Sequence, residues 1–162
     1  MLRLDELTRK DIVLDVDTWT KDKAKKVRGV TYLGITEDYT VFFRVNSVTA
    51  NPPTTYLVKI KLVDYEEIAE DENLTVREKV RLAIAGDLQI SCTCPAYLYW
   101  GYKYILTQID TNESDPEHRF PKIRNPKLQG VVCKHCYVAL QAFPFNWTSI
   151  ARDVSQGKFL RR

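Results

Sequence analysis

Four cysteines and two histidines are the side chains of this 162-residue chain best suited to soft-metal or thiol chemistry. They are unevenly placed. Cys92-Thr93-Cys94 and Cys133-Lys134-His135-Cys136 form two tight groups with 38 residues between them, and the first 91 residues hold no cysteine. A secreted disulfide scaffold spreads its cysteines to staple the whole fold, whereas clustered pairs in an intracellular chain bind metal or do redox chemistry. Tetrahedral zinc takes four sulfur or nitrogen donors, with Zn–S near ~2.3 Å and Zn–N near ~2.0–2.1 Å. Cys92 and Cys94 supply two donors if the chain turns at Thr93, which Pro95 favours. Cys133 and His135 supply two more if Cys133 precedes a helix and His135 lies in its first turn. The positive end of such a helix also favours thiolate over thiol. Cys136 stands open as an alternative fourth ligand.

Two other uses of these residues compete with zinc. A redox Cys-x-x-Cys at 133–136 leaves Cys92 and Cys94 without a role. Only 26 residues follow Cys136, too few for the elements a thioredoxin-like fold places after its motif. Four buried thiols without a ligand are the plainer alternative, since free cysteine is among the most buried residue types. Zinc is preferred because it draws four ligands from both groups. A closed four-donor shell is structural, as catalysis needs an open coordination position, so no enzyme is expected. Cys133 and His135 make a poor nucleophile–base pair, because neighbours two apart at a helix start point in different directions. The six glycines are scattered singly and build no phosphate-binding loop. Asn-x-Ser/Thr triplets at Asn73, Asn112 and Asn146 read as chance in a chain that is not secreted.

The elements that must position the cluster follow from composition and pattern. A hydrophobic fraction of 44% and a charged fraction of 28% suit one globular domain and exclude extensive disorder. No run approaches the ~18 apolar residues of a membrane helix. Residues 1–10 carry five charges and do not read as a secretory signal, so cytoplasm or a virion is the expected setting. The expected class is α+β, an N-terminal antiparallel sheet followed by a helical zinc module. Residues 1–86 form the β-rich part, with strands over 11–17, 26–36, 40–49 and 56–63, a hairpin at Glu37-Asp38 and a turn at Asn51-Pro52-Pro53. The acidic stretch 64–73 reads as solvated surface. Thr75-Val76-Arg77-Glu78 has capping-box spacing and opens a helix that stops at Gly86. The zinc module spans 87–145. A strand over 87–92 leads into it, an aromatic helix over 95–109 follows, and a long loop over 110–130 precedes a short helix over 134–143 ended by Pro144. Residues 146–162 form a mixed tail with a basic end.

Net charge is only +3, so a dedicated duplex-binding domain is not indicated. Charge is patterned locally instead: the loop is acidic over 110–117 and basic at Arg119, Lys122, Arg124 and Lys127. Complementary charged segments and abundant Tyr and Trp suit contacts with other protein subunits, including a homo-oligomer or a larger assembly. In that reading the loop, tethered at its base by zinc, is the contact element, and shortening it should abolish partner binding while zinc content stays intact. The alternative puts nucleic acid on Arg119, Lys122, Arg124 and Lys127, joined by Lys21, Lys23, Lys25 and Lys26, with tyrosines stacking on bases. Solvated surface for the lysines and plain core for the aromatics are the ordinary alternatives.

The pattern Cys92-x-Cys94 … Cys133-x-His135 resembles the SWIM-type zinc finger, whose members occur in transposase-like, chromatin-associated and ubiquitin-pathway proteins. The resemblance covers about residues 88–140. It implies Cys92, Cys94, Cys133 and His135 as zinc ligands in a finger that binds DNA or protein. A looser likeness joins residues 94–104 and Lys122–Lys127 with Cys133-Lys134-His135 to small proteins encoded by tailed bacteriophages. It implies a virion component of the head–tail or connector region.

Overall fold

The computed structural model describes residues 18–47 and 54–161. The expected strand over 11–17, the charged first ten residues and the Asn51-Pro52-Pro53 turn lie outside them. The architecture is mixed α+β, with one five-stranded sheet in the order β4 (Leu88–Cys92), β3 (Thr54–Leu62), β2 (Thr40–Ser47), β1 (Val30–Thr36) and β5 (Phe159–Leu160). Strands β1, β2, β3 and β4 are antiparallel neighbours. The fifth, β5, runs parallel to β1 and comes from the stretch read as a mixed tail.

Alternation explains the pairing. Val41, Phe43 and Val45 of β2 sit opposite Ile60, Val58 and Tyr56 of β3, and all but Tyr56 are fully buried. The β1–β2 hairpin closes through Tyr39, whose positive φ of 61° takes the left-handed place of a three-residue loop while its ring packs at 4.2 Å on Tyr65. The β1–β2 register shifts between Tyr32 and Gly34. At Gly34 the φ is 146°, and a Cβ would lie 2.8 Å from Leu160 Cγ, so a side chain there would push β5 off the sheet.

One face of the sheet carries the core. Helix α6 (Lys134–Ala142) lies across β2, β3 and β4, and Phe143 behind it meets Phe43 edge-on with centroids 6.3 Å apart. Pro144 falls in a 3₁₀ turn, Phe143–Asn146, that ends the helix and leads into α7 (Trp147–Ser155). Helix α7 packs on α3 (Val76–Ala85) and β1, where Tyr32 Oη donates to Asp153 at 2.8 Å. The capping box opening α3 is present, with Thr75 Oγ1 accepting from Glu78 N–H and Glu78 accepting from Thr75 N–H.

Several helices depart from the pattern-based expectation. The acidic stretch contains a helix, α2 (Tyr65–Ala69), anchored by its buried Tyr65. Another, α1 (Thr18–Ala24), precedes the sheet and packs on α6. The aromatic segment forms two helices, α4 (Pro95–Tyr99) and α5 (Tyr102–Gln108), broken at Gly101, whose φ of 79° is left-handed. A Cβ at Gly101 would lie 2.3 Å from Pro121 Cγ, so the break is where the long loop presses against the helices. Tyr97 and Tyr102 are core, Trp100 and Tyr104 are half-buried, and Tyr99 is exposed.

Loop 110–130 does not project freely. Its first residues run beside the outer edge of β4: Ile90 N–H donates to Thr111 O at 2.8 Å, and Glu113 N–H donates to Ile90 O at 3.1 Å. Asn112 Nδ2 donates to Ser114 O and Asp115 O, and Ser91 Oγ donates to Glu113 at 2.6 Å. Further on, Asn125 is buried and bonds the backbone of Gln129 through both ends of its amide. Buried loop backbone needs such partners, and the polar residues of this stretch provide them.

Candidate metal centre

Each ligand candidate is placed by the end of an element. Cys92 is the last residue of β4, and Cys94 is the N-cap of α4 with Pro95 at the first helical position. Thr93 between them turns the chain while prolonging the ladder: its N–H donates to Leu57 O and its hydroxyl accepts from Leu57 N–H, both at 3.0 Å. Cys133 is the N-cap of α6, in extended conformation, and its sulfur accepts from Cys136 N–H at 3.5 Å as a serine oxygen would. Cys94 N–H likewise points at Cys92 Sγ at 3.4 Å. Such N–H donors favour negative charge on sulfur. His135 lies in the first turn of α6, its ring tilted against Tyr56 with centroids 4.8 Å apart.

Three sulfurs and one imidazole nitrogen thereby converge. The ligand atoms of Cys92, Cys94, Cys133 and His135 all lie within 4.8 Å of one another, and all four residues are buried. A tetrahedron with ~2.3 Å bonds has edges of about 3.7 Å, so a small contraction would close the group on one ion. This buried Cys3His group can hold a metal ion. Neither nitrogen of His135 has a hydrogen-bond partner among the described residues, although both are buried. Leaving such a nitrogen unpaired costs about 1–3 kcal/mol, and a metal bond would remove that cost at one of them. Cys136 is fully buried beside the group, one residue beyond His135 on α6, but it is outside the four whose ligand atoms converge.

The Cys92 thiol is pushed far up: contact with Cys133 lowers it, but contacts with Cys136 and Cys94 and burial outweigh this. Cys94 is raised by its contact with Cys133, partly offset by Cys92, and further by burial. Burial, then contact with Cys133, drives Cys136 far up as well. Packed thiols hold their protons until a cation replaces them, and a coordinating metal inverts that balance. Burial, with the Lys23 cation close by, lowers the Lys134 ammonium at the mouth of the group. A cavity of about 90 Å³ between α1, α4 and α6 reaches the group from outside, past Trp100 and Lys134.

The four basic loop residues are all exposed, and one of them is in an ion pair. Arg119 is held by Glu117, which accepts from it at 2.6–3.2 Å through both carboxylate oxygens. Lys122, Arg124 and Lys127 are exposed on the outer part of the loop. Among the lysines ahead of the sheet, Lys21 and Lys23 lie on α1, and Lys25 pairs with Asp22 at 3.2 Å. Sequence reasoning passed over exposed apolar residues among the loop cations: Ile123 is 90% exposed, Phe120 41% and Leu128 37%. Their signal was an aliphatic residue flanked by charge in a proline-rich loop. Among the described residues no helix is long and apolar enough to cross a membrane. The chain matches no family model, no curated protein and no solved structure.

Proposed function

We propose that this is a zinc-stabilised structural protein of the SWIM-like type that works by contact with other protein subunits, its own copies included. The head–tail region of a tailed-phage particle is the setting the sequence resemblance suggests. Zinc is the metal that a Cys3His donor set suits best, and a four-donor protein shell leaves no position for substrate. Its work would be mechanical. Bound by Cys92, Cys94, Cys133 and His135, it would join the end of β4 to the starts of α4 and α6 and so fix both ends of the chain that carries loop 110–130. His135, rather than Cys136, is the fourth ligand in this reading, because one of its ring nitrogens lies within 4.8 Å of the three sulfurs.

The observation that carries the contact role is Ile123, almost fully exposed on a loop whose two flanks are tied down at Thr111–Glu113 and Asn125–Gln129. A rigidly presented aliphatic side chain flanked by Phe120 and Leu128 is a preorganised anchor, and burying it against a partner is worth about 1.5–3 kcal/mol. Sedimentation velocity tests this with wild type and Ile123→Glu. Wild type should self-associate at micromolar concentration, and the variant should sediment as a monomer with unchanged zinc. A monomeric wild type, or a variant that associates as well as wild type, would refute self-contact through the loop. The exposed cations Lys122, Arg124 and Lys127 support nucleic acid as the second reading for the same loop.

A further inference from the structure

The sheet has a second face that the metal site does not use. Strands β1–β4 contain no aspartate or glutamate and three cations, Arg44, Lys59 and Lys61. Register places all three on one face: Phe42 is opposite Lys59, Arg44 opposite Leu57, and Thr40 opposite Lys61. Across the other strand borders, Thr31 lies beside Arg44, Ser91 beside Lys59, and Gln89 beside Lys61. The contacts that fasten α6 and α7 to the sheet, Phe143 on Phe43 and Asp153 on Tyr32, are made from the opposite face. Burial separates the two faces. Val41, Phe43, Val58 and Ile60 are wholly covered, whereas Phe42, Leu57, Lys59 and Lys61 are half-buried and Arg44 is exposed. Ser91 is closed off at one flank by Glu113, and Thr40 is buried near the hairpin end.

None of the three cations is in an ion pair among the described residues. The Lys59 ammonium instead rests 5.5 Å from the centroid of the Phe42 ring, a weak contact at a half-open site. Lys59 and Lys61, two residues apart on one strand, stand about 6.8 Å apart along it. We propose that this open face binds a segment of single-stranded nucleic acid. One base stacks on Phe42, Lys59 leaves the ring for a phosphate as the base takes its place, and Arg44 and Lys61 neutralise neighbouring phosphates. The uncharged Thr31 and Gln89 lie within reach of base edges. A flat aromatic platform bordered by cations favours bases, which offer a π-face whatever their sequence, over an acidic peptide, which needs pockets for its side chains. Duplex is disfavoured because its bases are already stacked.

Fluorescence anisotropy of the zinc-loaded full chain with a labelled 20-nucleotide single strand tests the assignment, with a duplex of the same sequence and polyglutamate as competitors. Wild type should bind the single strand more tightly than the duplex. Phe42→Leu keeps apolar volume but not stacking and should weaken binding at least about fivefold, while Phe42→Trp restores it. Lys59→Ala with Lys61→Ala should reduce the slope of log K against log salt by about 1.4. Lys158→Ala, an exposed cation on neither surface, should leave affinity unchanged, and Lys122→Ala with Arg124→Ala reports separately on the loop. Circular dichroism and zinc content show that each variant is folded. No binding by wild type at low salt, loss of binding through the loop variant alone, or polyglutamate displacing the strand without any dependence on Phe42 would each overturn the proposal.

Discussion

Taking the metal away should unfasten the protein. Without an ion, the imidazole of His135 is buried with both nitrogens unpaired among the described residues, at about 1–3 kcal/mol each, and three thiols crowd one another in the same space. Structural zinc is worth an apparent ~10–16 kcal/mol in zinc-finger peptides, and a domain's whole net stability is ~5–15 kcal/mol. At about 2–4 °C per kcal/mol for a domain of this size, even ~10 kcal/mol corresponds to a drop of ~20–40 °C in Tm. The assay is thermal melting by circular dichroism before and after chelation, with metal content read by native mass spectrometry. One zinc per chain is expected in wild type and in Cys136→Ala, none in His135→Ala, and one again in His135→Cys, which restores a fourth donor. Proton competition sets the pH direction: binding zinc displaces protons from its ligands, so zinc is lost as pH falls. Metal-free protein melting within about 5 °C of the loaded form would refute the claim that the ion clamps the fold.

Three further expectations concern single contacts. Gly101→Ala must both adopt φ 79° and displace Pro121, so it should cost more than about 1–3 kcal/mol and make loop 110–130 a preferred site of limited proteolysis. Hydrogen bonds from the Arg119 guanidinium and backbone hold the Glu117 carboxyl down at about 2, below the ordinary carboxylate value near ~4.3. A depressed folded value means the stabilisation is complete above the unfolded value and fades as pH falls toward 2. Carboxyl-detected NMR should find that titration, and a Glu117 titrating near ~4.3 would count against the clasp. Tyr32→Phe removes the hydrogen bond to Asp153 between β1 and α7 and should lower Tm by about 2–4 °C for a loss of ~1 kcal/mol. An unchanged Tm would mean water replaces the hydroxyl at no cost.

Some of this was legible in the residues because its causes are local. Two cysteines one residue apart, and a Cys-x-His at a helix start, restrict geometry enough that their convergence follows once the segments meet. The alternation in 40–45 and the Thr75–Glu78 capping box are equally short-range. What escaped depends on distant partners. Helix α2 exists because Tyr65 finds Tyr39 across the hairpin, which no count of the surrounding carboxylates reveals. The aromatic segment divides at Gly101, where φ is 79° and Pro121, 20 residues later, packs so closely that no side chain would fit. Strand β5 is only two residues long and owes its place to the hollow left by Gly34, so it has no periodicity of its own to read.

The backbone strip at Thr111–Glu113 bears on solubility as well as on the loop it begins. A sheet's outermost strands offer unpaired N–H and C=O groups on which another chain can template. Here one border is occupied by that strip, through the two hydrogen bonds to Ile90, and the other ends in a strand of two residues. Both borders are thereby blunted without a charge on either β4 or β5. The protection at β4 is conditional, because the strip lies on the chain between Cys94 and Cys133 and the ion would hold both its ends. Zinc loss would therefore do more than lower stability: it would uncover Leu88–Cys92, a strand that carries no charge of its own, and turn the folded protein into a seed for edge-to-edge aggregation.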